Sequence, residues 1–131
     1  NFGFIRALLQ AVIEDRDFPI WGDGGSIRDY LFIDDFTSFC EQLLSLDWPA
    51  TIYNIGSGQG LSQLDVCAAV ETVTGKEPKI KFVAQTASAV RGIILDSSRA
   101  NRDFGWQAQT PLAKGIGRTW HWLQSLVARQ E

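Results

Sequence analysis

A chain of 131 residues is the size of one domain and long enough to bury a core. With 45% hydrophobic and 21% charged residues it has the apolar content of a folded protein, which excludes disorder as its ground state. A net charge of −3 with no block of Lys or Arg argues against a nucleic-acid or anionic-membrane surface, and no apolar run reaches the length of a membrane span. No signal-peptide pattern is present at the first residues. Cys40 and Cys67 fall among apolar neighbours on apparent helix faces. Buried free thiols in a cytoplasmic protein are expected, with a disulfide as the lesser alternative, and neither cysteine has metal-ligand spacing. The sequence lacks methionine and opens directly in a helical pattern, so it reads as one domain, residues 1–131, of a longer polypeptide.

The elements follow in order. Phe4, Ile5, Leu8, Leu9, Val12 and Ile13 have helical spacing, and Pro19 forbids continuation of that helix. Ile20-Trp21 predicts a short strand running into the loop Gly22-Asp23-Gly24-Gly25-Ser26, where residues without a Cβ let the backbone reverse. The run from Arg28 to Ile33 predicts a strand, with Asp34 or Asp35 capping a helix whose face is Phe36, Phe39, Cys40, Leu43 and Leu44. Trp48-Pro49 marks a loop, and Thr51–Ile55 predicts a buried strand ahead of Gly56-Ser57-Gly58-Gln59-Gly60. Ser62 and Asp65 form a weak capping box for a helix presenting Leu64, Cys67, Ala68, Val70 and Val73, with Gly75 as its stop. A strand at Lys79–Val83, a loop at Gln85–Val90 and a brief strand at Gly92–Leu95 come next. Asp96-Ser97-Ser98 opens a short helix ending at Gly105, and Thr110-Pro111 opens the last helix, which buries Leu112, Ile116, Thr119 or Trp120, Leu123 and Val127. The order predicts an α/β domain, a small mixture of helices and short strands.

Chemistry-bearing residues are few. Arg28, at the edge of a strand beside a glycine loop, suits bidentate contact with a phosphate, against an ion pair with Asp29 or Asp35. Trp21 offers a flat face to a base, against simple core packing. The GSGQG loop sits between a strand and a helix, where an anion can be held, but it lacks the dinucleotide spacing and reads better as a tight turn. His121, between Trp120 and Trp122, reads as a surface or packing residue. No nucleophile pair, metal cluster or catalytic residue is identified.

Three stretches, IWGDGGSIRDYLFIDD, IYNIGSGQGLSQLDV and LDSSRANRDFGWQAQTPLAKGI, together resemble the C-terminal half of the NAD-dependent nucleotide-sugar epimerase/dehydratase family, the extended short-chain dehydrogenases that include UDP-glucose 4-epimerase. The resemblance implies the substrate-binding half of a Rossmann-type enzyme, without the N-terminal domain that would bind NAD. No Tyr-x-x-x-Lys pair occurs: Tyr30 is followed four on by Asp34, and Tyr53 by Ser57. The implied partner is a nucleotide-diphosphate sugar, the implied reaction reversible oxidation and reduction at a sugar carbon, and the full-length protein a possible homodimer. A 4,6-dehydratase, decarboxylase or keto-reductase of the same family is the alternative, and a non-catalytic sugar-nucleotide-binding module is the alternative of another class.

By the same resemblance, Arg28 grips the diphosphate, and Trp21 lies at the nucleobase with Pro19 and Ile20 beside it through their backbone. Gly3 and Phe4 belong to a segment touching the diphosphate or sugar. Asn54 and Gly56 match one structural signature; Asp96, Gly105 and Trp106 match another. One departure stands out: where relatives carry a second substrate arginine and an aspartate, this chain has Thr86 and Ala89, and Arg91, displaced by several residues, is the candidate substitute.

Overall fold

The computed structural model describes residues 3–44, 52–84 and 91–129. Helix α1 (Phe4–Ile13) buries Leu8, Leu9, Ala11 and Val12, as its spacing requires. Strand β1 (Phe18–Trp21) turns Phe18 and Ile20 inward and leaves Trp21 outside. It pairs in parallel with β4 (Ile80–Val83), in a register running from Phe18↔Ile80 to Trp21↔Val83. A separate three-stranded sheet centres on β2 (Ile27–Asp29), with β3 (Gly60–Ser62) antiparallel on one side and β5 (Gly92–Ile93) parallel on the other. Among the described residues the other helices are α2 (Ile33–Leu44), α3 (Gln63–Thr74), α4 (Ser98–Phe104) and α5 (Leu112–Val127).

Two apolar clusters hold these elements. The larger joins α1, β1, α3 and α5 through Leu8, Leu9, Ile20, Val66, Val70, Ile116, Trp120 and Leu123. The smaller gathers Phe39 of α2, Ala100 of α4 and Trp106, with Leu31, Leu43, Tyr53 and Ile55 around them. Phe39 meets the rings of Phe104 and Trp106 edge-on, each at 5.6 Å, an arrangement that suits the ring quadrupoles. The α3 capping box is complete, with Ser62 and Asp65 each bonding the other's backbone amide, and Gly75 and Gly105 end their helices in the left-handed conformation. Both cysteines are free thiols; burial pushes Cys67 up to about 11.

Several expectations are corrected. The strand predicted from Arg28 to Ile33 ends at Asp29, and α2 opens at Ile33. Tyr30 packs on the larger cluster and Leu31 on the smaller, so this apolar run bridges two cores instead of lining one face of a sheet. Asp34 and Asp35 lie in the first turn of α2 and not at its cap. The Asp35 carboxylate, 7% exposed, accepts from the backbone amides of Gln109 (3.2 Å) and Thr110 (2.9 Å) and from the Thr110 hydroxyl (3.0 Å). Thr110 is thereby diverted from capping, and Pro111 stands at the cap of α5. Residues 52–55, expected as a buried strand, belong to neither sheet; Ile52 is 84% exposed while Tyr53 and Ile55 face the smaller cluster. Phe36, Leu44, Leu64, Ala68 and Val127, expected inside, are exposed, and Val66 is buried instead on α3. The strand expected over 92–95 stops at Ile93. Trp48, Pro49, Thr51 and the loop expected at 85–90 lie outside the described residues.

Replacing Asp35 by alanine strands two amides at the entry to α5. We expect a loss of about 1–3 kcal/mol in urea unfolding at neutral pH; an unchanged midpoint would show that water satisfies those amides equally well.

Candidate functional site: two arginines on one sheet face

The loop 22–26 joins the two sheets. Gly22 donates to the Val83 carbonyl (2.9 Å), the Asp23 carboxylate accepts from Gly25 (2.8 Å), and Leu64 donates to Gly24 (3.4 Å). At one end of this loop stands Trp21, 57% exposed; at the other, β2 carries Arg28. Arg28 is half-buried, and its guanidinium donates to the Ile27 carbonyl at 2.7 Å. The register pairs Arg28 with Leu61 on β3 and with Ile93 on β5. Ile27 also donates to the Arg91 carbonyl at 2.9 Å, which carries the parallel ladder one residue before Gly92. Because side chains alternate across a pleated sheet, Arg28, Ile93 and Arg91 share one face, and Asp29 takes the other. Ile93 and Arg91 are both exposed on that face.

The Asp29 carboxylate is the hub of the opposite face. One oxygen accepts from the Ser57 amide (2.8 Å) and hydroxyl (2.5 Å), and the other from Gly58 (3.0 Å) and Leu95 (3.1 Å). Partial burial opposes its charge, but these bonds outweigh that and hold its carboxyl below the usual aspartate range. Gly56 makes room for it: a Cβ there would stand 2.6 Å from the carboxylate and 2.6 Å from the Leu95 side chain. The glycine-serine loop therefore does hold an anion, and the anion is the protein's own. The donors that would have to meet a dinucleotide pyrophosphate are occupied, so this loop does not fit the phosphates of NAD.

The other predicted residues are scattered. Ile20 is fully buried and Pro19 half-buried, so Ile20 can meet a ligand only through its backbone. Phe4 is half-buried, with its ring edge-on to Phe18 at 5.5 Å and 6.5 Å from Tyr30, which makes it a packing residue on the larger core. Gly3 precedes α1 and lines a half-open, mostly apolar cavity of about 640 Å³ with Ile5, Tyr30, Phe32 and Ile116. Neither Arg28, Trp21 nor Arg91 lines that cavity. Thr86 and Ala89 lie outside the described residues, and His121 is exposed on α5. Sequence reasoning missed the work of Asp29, which it weighed only as a partner for Arg28. The available signal was a carboxylate beside the arginine together with a later Gly-Ser-Gly turn rich in free amides.

The NAD dependent epimerase/dehydratase family model matches residues 2–56. UDP-glucose 4-epimerase of Bacillus subtilis (strain 168) is 31% identical over 127 residues, which cover 94% of this chain and 37% of that protein. A dTDP-glucose 4,6-dehydratase of Escherichia coli is 27% identical over 126 residues, covering 90% of this chain and 35% of that one. Among solved structures, MoeE5 in complex with UDP-glucuronic acid and NAD superimposes with a TM-score of 0.88 at 26% identity, covering 95% of this chain and 42% of that chain. The fold is that of a part of an extended short-chain dehydrogenase, and the match over residues 2–56 is to the NAD-dependent epimerase/dehydratase family. It spans well under half the length of the curated relatives it matches.

Because the folded pKa of Asp29 is lowered, its stabilisation is complete above the unfolded value, near ~3.9, and is lost as pH falls through the folded value. Asp29→Asn should therefore cost about 1–3 kcal/mol at neutral pH, and the gap to wild type should narrow on acidification below pH ~4. A gap constant with pH in denaturant unfolding would mean that the charge plays no part.

Proposed function

We propose that this chain is the substrate-binding, C-terminal portion of a cytoplasmic NAD-dependent nucleotide-sugar epimerase of the UDP-glucose 4-epimerase type. Its role is to hold the nucleoside diphosphate. Arg28 and Arg91 receive the two phosphates from one sheet face, and Trp21, across the 22–26 loop, presents its ring to the base. The observation that carries this reading is the shared face of Arg28 and Arg91, fixed by the β2–β5 register and the Ile27–Arg91 hydrogen bond. Guanidinium groups suit this work because each stays charged and offers paired donors to phosphate oxygens. Arg91 then takes the place of the arginine for which this chain has Thr86, reaching the ligand from the residue just before β5.

The hydride step and the nicotinamide cofactor belong to residues outside these 131. Two observations support that division. The glycine loop 56–58 is filled by Asp29. Ile33, Phe36, Leu44 and Ile52 are 60%, 44%, 88% and 84% exposed, individually exposed apolar side chains that suit cover by further polypeptide. Epimerisation is preferred to 4,6-dehydration because the relative at 31% identity is an epimerase, whereas the dehydratase stands at 27%.

Calorimetric titration of the 131-residue chain with UDP tests the site. Arg28→Ala and Arg91→Ala should each weaken binding by about 1.5–3 kcal/mol, or roughly 10- to 150-fold, with little change in melting temperature. Unchanged affinity in both variants would refute the two-arginine site, and a lowered melting temperature alone would make Arg28 structural.

A further inference from the structure

We infer that Asp29 is a positioning residue for the phosphate-binding pair: from the back of the sheet it sets the spacing of Arg28 and Arg91. This inference rests on the diphosphate reading above and concerns how that site is held. β2 and β5 are short, of three and two residues, and their backbone ladder alone is a weak constraint on two long arginine side chains. Asp29 adds bonds at both flanks. Its link to Leu95 ties the end of β2 to the chain just past Ile93, so β5, which Arg91 immediately precedes, is held against sliding along the strand bearing Arg28. Its three bonds to Ser57 and Gly58 tie the same carboxylate to the loop that leads into β3, the strand on the other side of β2. That loop is anchored in turn: Gly56 donates to the Ser97 hydroxyl at 2.9 Å, and the same hydroxyl donates to the Gly56 carbonyl at 3.1 Å.

The arrangement also answers an electrostatic need. Two guanidinium groups brought to one face repel each other. A carboxylate next in sequence to Arg28, kept ionised by four donors, places a fixed negative charge behind the pair. Its protonation or removal would weaken the frame and the compensating field together. The effect on ligand should fall on the diphosphate and spare the nucleoside, because Trp21 belongs to the other sheet.

The test compares UDP with uridine, both titrated into the 131-residue chain. In wild type the diphosphate should strengthen binding well over uridine. Asp29→Ala should reduce that advantage by roughly tenfold, the size of one charge-assisted hydrogen bond, with uridine affinity unchanged. Sodium formate, whose carboxylate can occupy the vacated donors of Ser57, Gly58 and Leu95, should restore part of it. Ser57→Ala removes one hydroxyl donor and leaves the carboxylate, so it should reproduce a smaller loss even if Asp29→Ala folds poorly. An unchanged UDP-to-uridine ratio in either folded variant would overturn the positioning role while leaving the two-arginine site standing. If wild type binds UDP no better than uridine, the diphosphate reading itself fails and the positioning role goes with it.

Discussion

The structure turns on a carboxylate that bonds away from its own strand. Asp29 accepts four hydrogen bonds from residues 28, 29 and 66 positions further along the chain. The donors are three backbone amides and a hydroxyl, so the acceptor is matched to groups that would otherwise be orphaned in a tight turn and at the end of β5. The charge makes each bond stronger than its neutral counterpart, and the half-buried position reduces competition from water. A three-stranded sheet made of strands only two or three residues long would be marginal without such ties.

Asp35 repeats the device from the first turn of α2. It reaches 74 and 75 positions along the chain to Gln109 and Thr110, while the Trp106 indole donates to its backbone carbonyl at 3.1 Å. The two aspartates therefore bracket the segment 30–34, whose Tyr30 and Leu31 feed different cores. One short stretch of sequence thus connects both apolar clusters, the central strand and the entry to the last helix. The arginine face inherits its rigidity from this junction.

Much of the architecture was legible in sequence. Helical spacing located α1, α3 and α5, and the Ser62–Asp65 pair, Gly75 and Gly105 marked real ends, because capping is decided within a few residues. The failures share a cause. Tyr30-Leu31-Phe32-Ile33 and residues 52–55 have strand-like alternation, but strand formation requires a partner and alternation does not reveal whether one is present. Asp34, Asp35 and Thr110 looked like caps because local chemistry favours it, whereas Asp35 and Thr110 are bonded to each other across the fold. The placement of Arg28 and Trp21 at the two ends of a glycine loop was legible in sequence. The shared face of Arg28 and Arg91 was not, because it depends on the register of β5 beside β2.

The central claim is that a nucleoside diphosphate binds to the face of Arg28 and Arg91 and not to the glycine-serine loop. The most direct measurement is a nitrogen–proton correlation spectrum of the 131-residue chain titrated with UDP. The account predicts that the side-chain resonances of Arg28, Arg91 and the Trp21 indole move together, with one affinity, while the amides of Ser57 and Gly58 stay in place because Asp29 already occupies them. Movement centred on Ser57 and Gly58, with Arg28 and Trp21 still, would contradict it.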